Sequence, residues 1–256
     1  MRITRRDFLR WGGALAGTLS APGPAFGKGG RLRVPVLLYH DISDDFRDDY
    51  TVSPARFAAQ MEWLYGNGYR AVPLRELARL PGNAKAVVIT FDDGYASFLE
   101  YAWPLFREYG FHSTINVIGS SVGSYLDVGG NRPMLSWDEY RYLLRTGAVD
   151  LGCHTYGLHA YTHRGVIGVP GKRLEEDLEK FRELLRRETG GSTEILAWPY
   201  GLYEAKHVEI ARRAGFRYLL TSGEGDFTGP GDLSAIPRKN VNDGYDIHSF
   251  KAGVES

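Results

Sequence analysis

The apolar, β-branched run Val87-Val88-Ile89-Thr90-Phe91 ends abruptly in Asp92-Asp93-Gly94-Tyr95. Such a run reads as a buried strand, and a buried strand has no use for two carboxylates within its body. At its C-terminal end they would project into the crevice where α/β proteins place ligands, with Gly94 allowing a sharp turn. Neighbouring carboxylates repel, so a bound cation or a shared proton is the expected compensation. Asp-Asp-Gly is also an ordinary turn signal. The weight of the segment therefore rests on what converges with it.

Three further strand ends carry reactive types. His40 follows the run from Val34 to Tyr39, His154 and His159 follow Val149 to Cys153, and Trp198-Pro199-Tyr200-Gly201 closes the run from Ile195. His154 and His159 stand five apart, about 500° around a helix. They can share a metal only from a loop, which Thr155-Tyr156-Gly157-Leu158 permits. The competing pair, His159 with His163, could share one helical turn, but poor helix formers surround it and Gly165 follows. His163 is then a surface or supporting residue. His112, His207 and His248 need only ordinary core or surface roles, and Cys153 fits a small apolar position at a strand end. One aspartate with two histidines is a facial 2-His-1-carboxylate set, suited to Zn²⁺ or another divalent transition ion. The second aspartate is free to act as general base on an attacking water. Residue types alone leave open which aspartate takes which part.

Strands and helices must alternate to bring these ends together. Strands are expected at Val34 to Tyr39, Lys85 to Phe91, Phe111 to Val117, Val149 to Cys153, Ile195 to Trp198 and Arg217 to Thr221. A short strand and helix precede Lys85. Ser53-Pro54 opens a helix to about Tyr65, stopped by Gly66 and Gly68. Phe98 to Tyr109 reads as a helix kinked at Pro104, Ser136 to Glu139 as a capping box, and Gly119 to Pro133 as a loop. Lys172 to Glu188 and Glu204 to Ala214 complete the helices. This alternation predicts an α/β fold, a distorted (β/α) barrel of about seven parallel strands with its functional groups on the loops after the strands.

The 256 residues include 31 basic and 31 acidic side chains, which argues against a nucleic-acid or anionic-membrane surface. A single cysteine, Cys153, excludes an intrachain disulfide, so stability must come from the core. Residues 1–25 read as an export signal: the twin-arginine pattern Thr4-Arg5-Arg6-Asp7-Phe8-Leu9-Arg10, a mildly apolar stretch, then small and Pro-rich residues. This predicts export of an already folded protein to a periplasmic or extracellular location, leaving one domain over residues 31–256.

Thr90-Phe91-Asp92-Asp93-Gly94-Tyr95, His154-Thr155-Tyr156-Gly157-Leu158-His159 and Trp198-Pro199-Tyr200-Gly201 resemble the motifs of the polysaccharide deacetylases with a NodB-homology domain, carbohydrate esterase family four. The resemblance spans roughly residues 34 to 240 and implies a metal-dependent N-deacetylase of an N-acetylated polysaccharide. It implies Asp92 as base, Asp93, His154 and His159 as metal ligands, and the backbone N–H of Tyr200 as an oxyanion donor. Two departures, the five-residue histidine spacing and the absence of a late leucine-histidine motif, are similar to the poly-β-1,6-N-acetylglucosamine deacetylase branch. There the acid histidine comes from an early Tyr-His, which implies His40. Leu135-Ser136-Trp137-Asp138 also resembles that branch. The arginine that steadies the base in this family has no obvious counterpart before Trp198; Arg238 is the substitute candidate. Tyr95, Tyr161 and Trp198 are candidates to face a sugar ring, with core packing an equal alternative for Trp198. Family motifs leave open peptidoglycan, chitin-like, galactosamine-containing or acetylxylan substrates, a non-catalytic carbohydrate-binding barrel, and docking to exopolysaccharide secretion machinery.

Overall fold

Apolar runs become strands here where β-branched residues cluster, and helices where a cap or proline opens an amphipathic stretch. A computed structural model describes residues 32–127, 130–161, 164–229 and 231–255 of the chain; the expected export signal and His163 lie outside them. In the first third, β1 (Arg33–Tyr39) is followed by the short pair β2 (Asp41–Ile42) and β3 (Thr51–Val52), then α1 (Pro54–Gly66), β4 (Arg70–Ala71) and β5 (Ala86–Asp93). A π turn at Phe98–Ala102 leads into α2 (Trp103–Tyr109), so the helix expected to kink at Pro104 is broken just before it. Then come β6 (Ser113–Val117), β7 (Tyr125–Asp127), β8 (Asn131–Pro133), α3 (Trp137–Arg145) and β9 (Val149–Cys153). The last third holds α4 (Leu158–Tyr161), α5 (Gly171–Thr189), β10 (Ile195–Ala197), α6 (Ala205–Arg213), β11 (Tyr218–Leu220), β12 (Asp226–Thr228), β13 (Lys239–Asn240) and α7 (Ile247–Glu255).

The strands pair in the order β11-β10-β9-β6-β5-β1-β12. The six from β11 to β1 are mutually parallel, with β4 and β13 as short parallel additions to β5 and β1. The seventh, β12, runs antiparallel to β1. No helix separates β11 from β12, and a parallel return needs a long crossover; the rest of the sheet keeps the parallel arrangement expected. The segment after β12 spans the opening between first and last strands. Ile236 forms a parallel bridge with Leu220, and Lys239 and Asn240 then pair with Leu37 and Leu38 of β1. The result is a distorted, nearly closed (β/α) barrel.

Side-chain alternation divides the core in two. Val87, Ile89 and Phe91 of β5 pack outward among helix residues such as Phe57, Phe106 and Phe181. Ala86 and Val88 face inward with Val36, Ala197, Leu220 and Ile236. The capping box at α3 forms: Ser136 N–H donates to Glu139 Oε2 at 2.7 Å, and Glu139 N–H donates to Ser136 Oγ at 3.4 Å. The stretch expected as a loop from Gly119 to Pro133 instead contains the antiparallel hairpin β7–β8. Among the described residues no helix is long and apolar enough to cross a membrane.

Candidate active site

Continuing upward along the inward face of β5, Thr90 and Asp92 replace the apolar residues below. Strict alternation would send Asp93 to the opposite face. Instead Asp93 takes φ +70° and Gly94 φ +95°, and Gly94 N–H donates to Asp92 O at 2.8 Å. This turn aims both carboxylates at His154, whose Nε2 lies 3.5 Å from Asp93 Oδ1 and 3.9 Å from Asp92 Oδ2. Any larger residue at Gly94 would overlap the Tyr140 hydroxyl.

His154 leaves the end of β9 with its N–H bonded to Val117 O at 2.9 Å. Its Nδ1 lies 2.8 Å from Ala197 O, a contact that places the proton on Nδ1 and leaves Nε2 with its lone pair. Burial takes this imidazole down to about 4 despite the attraction of Asp92, so it is neutral and ligand-competent at neutral pH. The following loop is held by Asp177 of α5, which accepts the Tyr156 and Gly157 N–H groups at 2.7 and 2.9 Å. Thr155, at φ +67°, accepts His159 N–H on its hydroxyl at 3.2 Å. His159 thus stands in the single helical turn α4, with Nε2 3.6 Å from Asp93 Oδ1. The five-residue spacing works because the intervening chain is a loop that turns into a helix only at Leu158.

One ligand atom each from Asp93, His154 and His159 lies within 4.8 Å of the others. Asp93 Oδ1, flanked by both imidazoles, is buried without a hydrogen-bond partner. A buried carboxylate oxygen in that position needs compensation, and a nitrogen-nitrogen-oxygen donor set fits Zn²⁺ or a similar ion. The residues present therefore suit a divalent metal.

Asp92 is tied down differently. Arg238, in the barrel-closing segment, forks onto it, Nη1 to Oδ1 at 2.8 Å and Nη2 to Oδ2 at 2.7 Å. Arg238 is itself oriented by Nε to Thr221 O at 2.7 Å and by Nη1 to Thr90 Oγ1 at 3.1 Å. Asn116 Nδ2 donates to Asp92 Oδ1 at 2.7 Å. Burial would raise this carboxyl, but the Arg238 guanidinium, with His154 and His40, holds it well below the usual carboxylate range. Asn116 was not singled out from sequence, since a lone Asn within a predicted strand carries no signal. Gly152 beside it is the available clue: a Cβ there would overlap Asn116 Oδ1.

His40 follows β1 with its Nδ1 buried and unpartnered, its ring edge-on to Tyr50 at 5.1 Å. Burial lowers its pKa, while the charges of Asp93 and Asp92 oppose that shift. The Tyr200 ring stacks on His159 at 4.7 Å and 18°, its backbone at φ +55°. The structure thus gathers all six expected site residues at one barrel mouth. Two expected sugar-facing residues do not fit that part. Trp198 is 0% exposed and stacks on Tyr203. Tyr95 is 3% exposed, packed among buried side chains such as Ile118 and Met134. Apolar rings that large are drawn into the core. The side chain of Tyr161 lies outside the described residues. The exposed ring beside the site is Tyr50, 44% exposed, which sequence reasoning missed.

The polysaccharide deacetylase family profile matches residues 79–219, more than half of the chain. The chain belongs to the polysaccharide deacetylase family. It is a hydrolase of amide C–N bonds. The matched segment holds Asp92, Asp93, His154, His159 and Tyr200, while His40 precedes it and Arg238 follows it. YxkH of Bacillus subtilis (strain 168), named as a polysaccharide deacetylase, is 26% identical over 229 residues, 88% of this chain and 77% of that one. Poly-β-1,6-N-acetyl-D-glucosamine N-deacetylase of Staphylococcus aureus (strain N315) is 26% identical over 222 residues, 84% of this chain and 76% of that one. The structure of IcaB from Ammonifex degensii superposes with a TM-score of 0.79 at 26% identity, over 89% of this chain and 99% of that one.

Proposed function

We propose that this deacetylase removes acetyl groups from N-acetylglucosamine residues of an extracellular poly-β-1,6-linked polymer, with a divalent transition metal, Zn²⁺ by its donor set, held by Asp93, His154 and His159. The observation that carries the reading is the division between the two aspartates. Asp93 Oδ1 stands without a partner between two imidazoles, while Asp92 is kept ionised by Arg238. The ion would polarise the acetyl carbonyl and acidify a water.

The chain's own groups supply the proton transfers. Asp92 Oδ1 accepts from both Arg238 and Asn116, whereas Oδ2 accepts from Arg238 Nη2 and faces His154 Nε2 at 3.9 Å, so Oδ2, with fewer donors, is the atom that takes the proton of the attacking water. Arg238 and Asn116 hold that carboxylate in register. His40 protonates the leaving amine, which must not depart as an anion; a positioned acid contributes roughly 10²–10⁴-fold. The Tyr200 backbone N–H donates to the oxyanion, an interaction of about 3–4 kcal/mol. The linkage preference rests on relatives of that name and on the five-residue histidine spacing. Export through residues 1–25 would place the enzyme beside its polymer, in the periplasm or outside the cell, where it could also meet the polymer's secretion machinery.

The test is acetate release from β-1,6-linked N-acetylglucosamine oligomers by the metal-loaded mature protein, compared with chitin oligomers and peptidoglycan. Preference for the β-1,6 linkage supports the substrate. Full activity in Asp92→Asn would overturn the base assignment.

A further inference from the structure

One buried guanidinium ties together the rim beside the site. Arg132 of β8 is 2% exposed, and a charge placed so deep persists only where it is paired and hydrogen-bonded. Its Nη1 donates to Asp41 Oδ2 at 3.2 Å and to Thr51 Oγ1 at 2.9 Å. Its Nη2 donates to the Asp48 carboxylate. The guanidinium lies 4.0 Å from the Phe46 ring centroid and 5.8 Å from that of Tyr95, within cation–π range.

These partners stand next to residues of the site. Asp41 directly follows His40, and its Oδ1 accepts from Ser97 Oγ at 2.6 Å, the same hydroxyl that accepts Ile42 N–H at 3.2 Å. Asp48 accepts the N–H of Tyr50 at 2.9 Å and the hydroxyl of Thr51 at 2.8 Å, and Tyr50 is the ring against which His40 rests. The 41–51 segment has only two short strands, β2 and β3, to define its path. Apolar packing would stabilise such a segment as well as a buried ion cluster does, or better. Directional charged bonds, however, select one arrangement of it.

We propose that Arg132 is a positioning residue: it latches the 41–51 segment so that His40 is held against Tyr50 and aimed at the leaving nitrogen. The proposal rests on the reading of His40 as the acid in deacetylation, and two substrates separate the two claims. An N-acetylglucosamine oligomer expels an amine that must be protonated. 4-Nitrophenyl acetate expels a phenolate that needs no acid, so it reports the rest of the site. In Arg132→Met the kcat for the oligomer is expected to fall about 10–100-fold, a part of what a positioned acid contributes, with stoichiometric metal retained. The ester rate should fall less than about threefold, because the proton transfer lost is one it does not use. Arg132→Lys should recover only part of the oligomer rate, since an ammonium cannot fork. In a His40→Ala background Arg132→Met should bring no further loss, as groups acting as a unit are non-additive.

Equal losses on both substrates, an unchanged oligomer rate, or additivity with His40→Ala would overturn the proposal. If Arg132→Met does not fold, Asp48→Asn weakens one leg of the latch and must shift the oligomer rate alone. Wild-type protein that cleaves the ester but never the oligomer would instead overturn the deacetylase reading.

Discussion

Arg238→Met tests how the base is held. The Arg238 and Asp92 side chains are 1% and 3% exposed, and their two charged hydrogen bonds measure 2.7 and 2.8 Å. The substitution leaves a buried carboxylate with Asn116 as its side-chain donor. Removing one partner of a buried pair destabilises by about 3–5 kcal/mol, because the remaining charge is uncompensated. For a domain of this size each kcal/mol moves Tm by roughly 2–4 °C, so a fall of about 6–20 °C is expected. The assay is thermal and urea unfolding of wild type, Arg238→Met, Asp92→Asn and the double variant, all metal-free so that ligand binding does not enter. The double variant buries neither charge, so the singles must be non-additive, with a coupling of at least ~2 kcal/mol. The pH dependence follows the same sign. Burial raises the Asp92 carboxyl, and Arg238 together with His154 and His40 lowers it by more, so the pair's stabilisation is present above the ordinary carboxylate range and lost as pH falls below it. Without Arg238 the carboxyl rises, and the acid limb of the activity profile moves to higher pH. Additive losses, or an Arg238→Met melt within a degree or two of wild type, would refute the reasoning.

Three further outcomes are expected. Gly152→Ala pushes a methyl into Asn116 Oδ1 and should destabilise by about 1–3 kcal/mol while slowing acetate release, read from urea midpoints and initial rates. Chelation should abolish acetate release and lower Tm, and metal added at about 100 times its Kd should restore ~2.7 kcal/mol; unchanged melting with no bound metal by elemental analysis would remove the metal site from the account. Ser136→Ala breaks the capping box of α3 and should lower unfolding free energy by about 0.5–2 kcal/mol without altering the substrate KM, since it lies off the catalytic cluster.

Much of this was legible in local pattern. The carboxylates at the end of β5, the histidines after β9 and the loop after β10 could be placed because a buried strand is an apolar run that stops where polar residues begin. The Ser136–Glu139 box was legible because its bonds close within one turn. Residues without such a local signature were not. Arg238 could be offered only as a substitute candidate for steadying the base, and it does fork onto Asp92; but it lies 146 positions away, and nothing in Pro237-Arg238-Lys239 marks it locally as inward-facing. Asn116 sits within β6 like any polar strand residue. The aromatic expectation failed for the same reason: Trp198 and Tyr95 have the composition of a sugar platform, yet burial claims them, and Tyr50 carries the exposed ring.

The chemistry available to this protein was determined by residue type and short spacing: which groups can ligate, move a proton or end a strand is a covalent fact of the chain. Which of the two aspartates stands beside the imidazoles without a partner, and which is forked by an arginine, was decided only when the closing segment brought Ile236 to Leu220 and Lys239 to Leu37. A pairing across the barrel mouth is set by long-range packing, and the positive φ at Asp93 that turns its carboxylate toward the histidines is strain only the folded surroundings can impose.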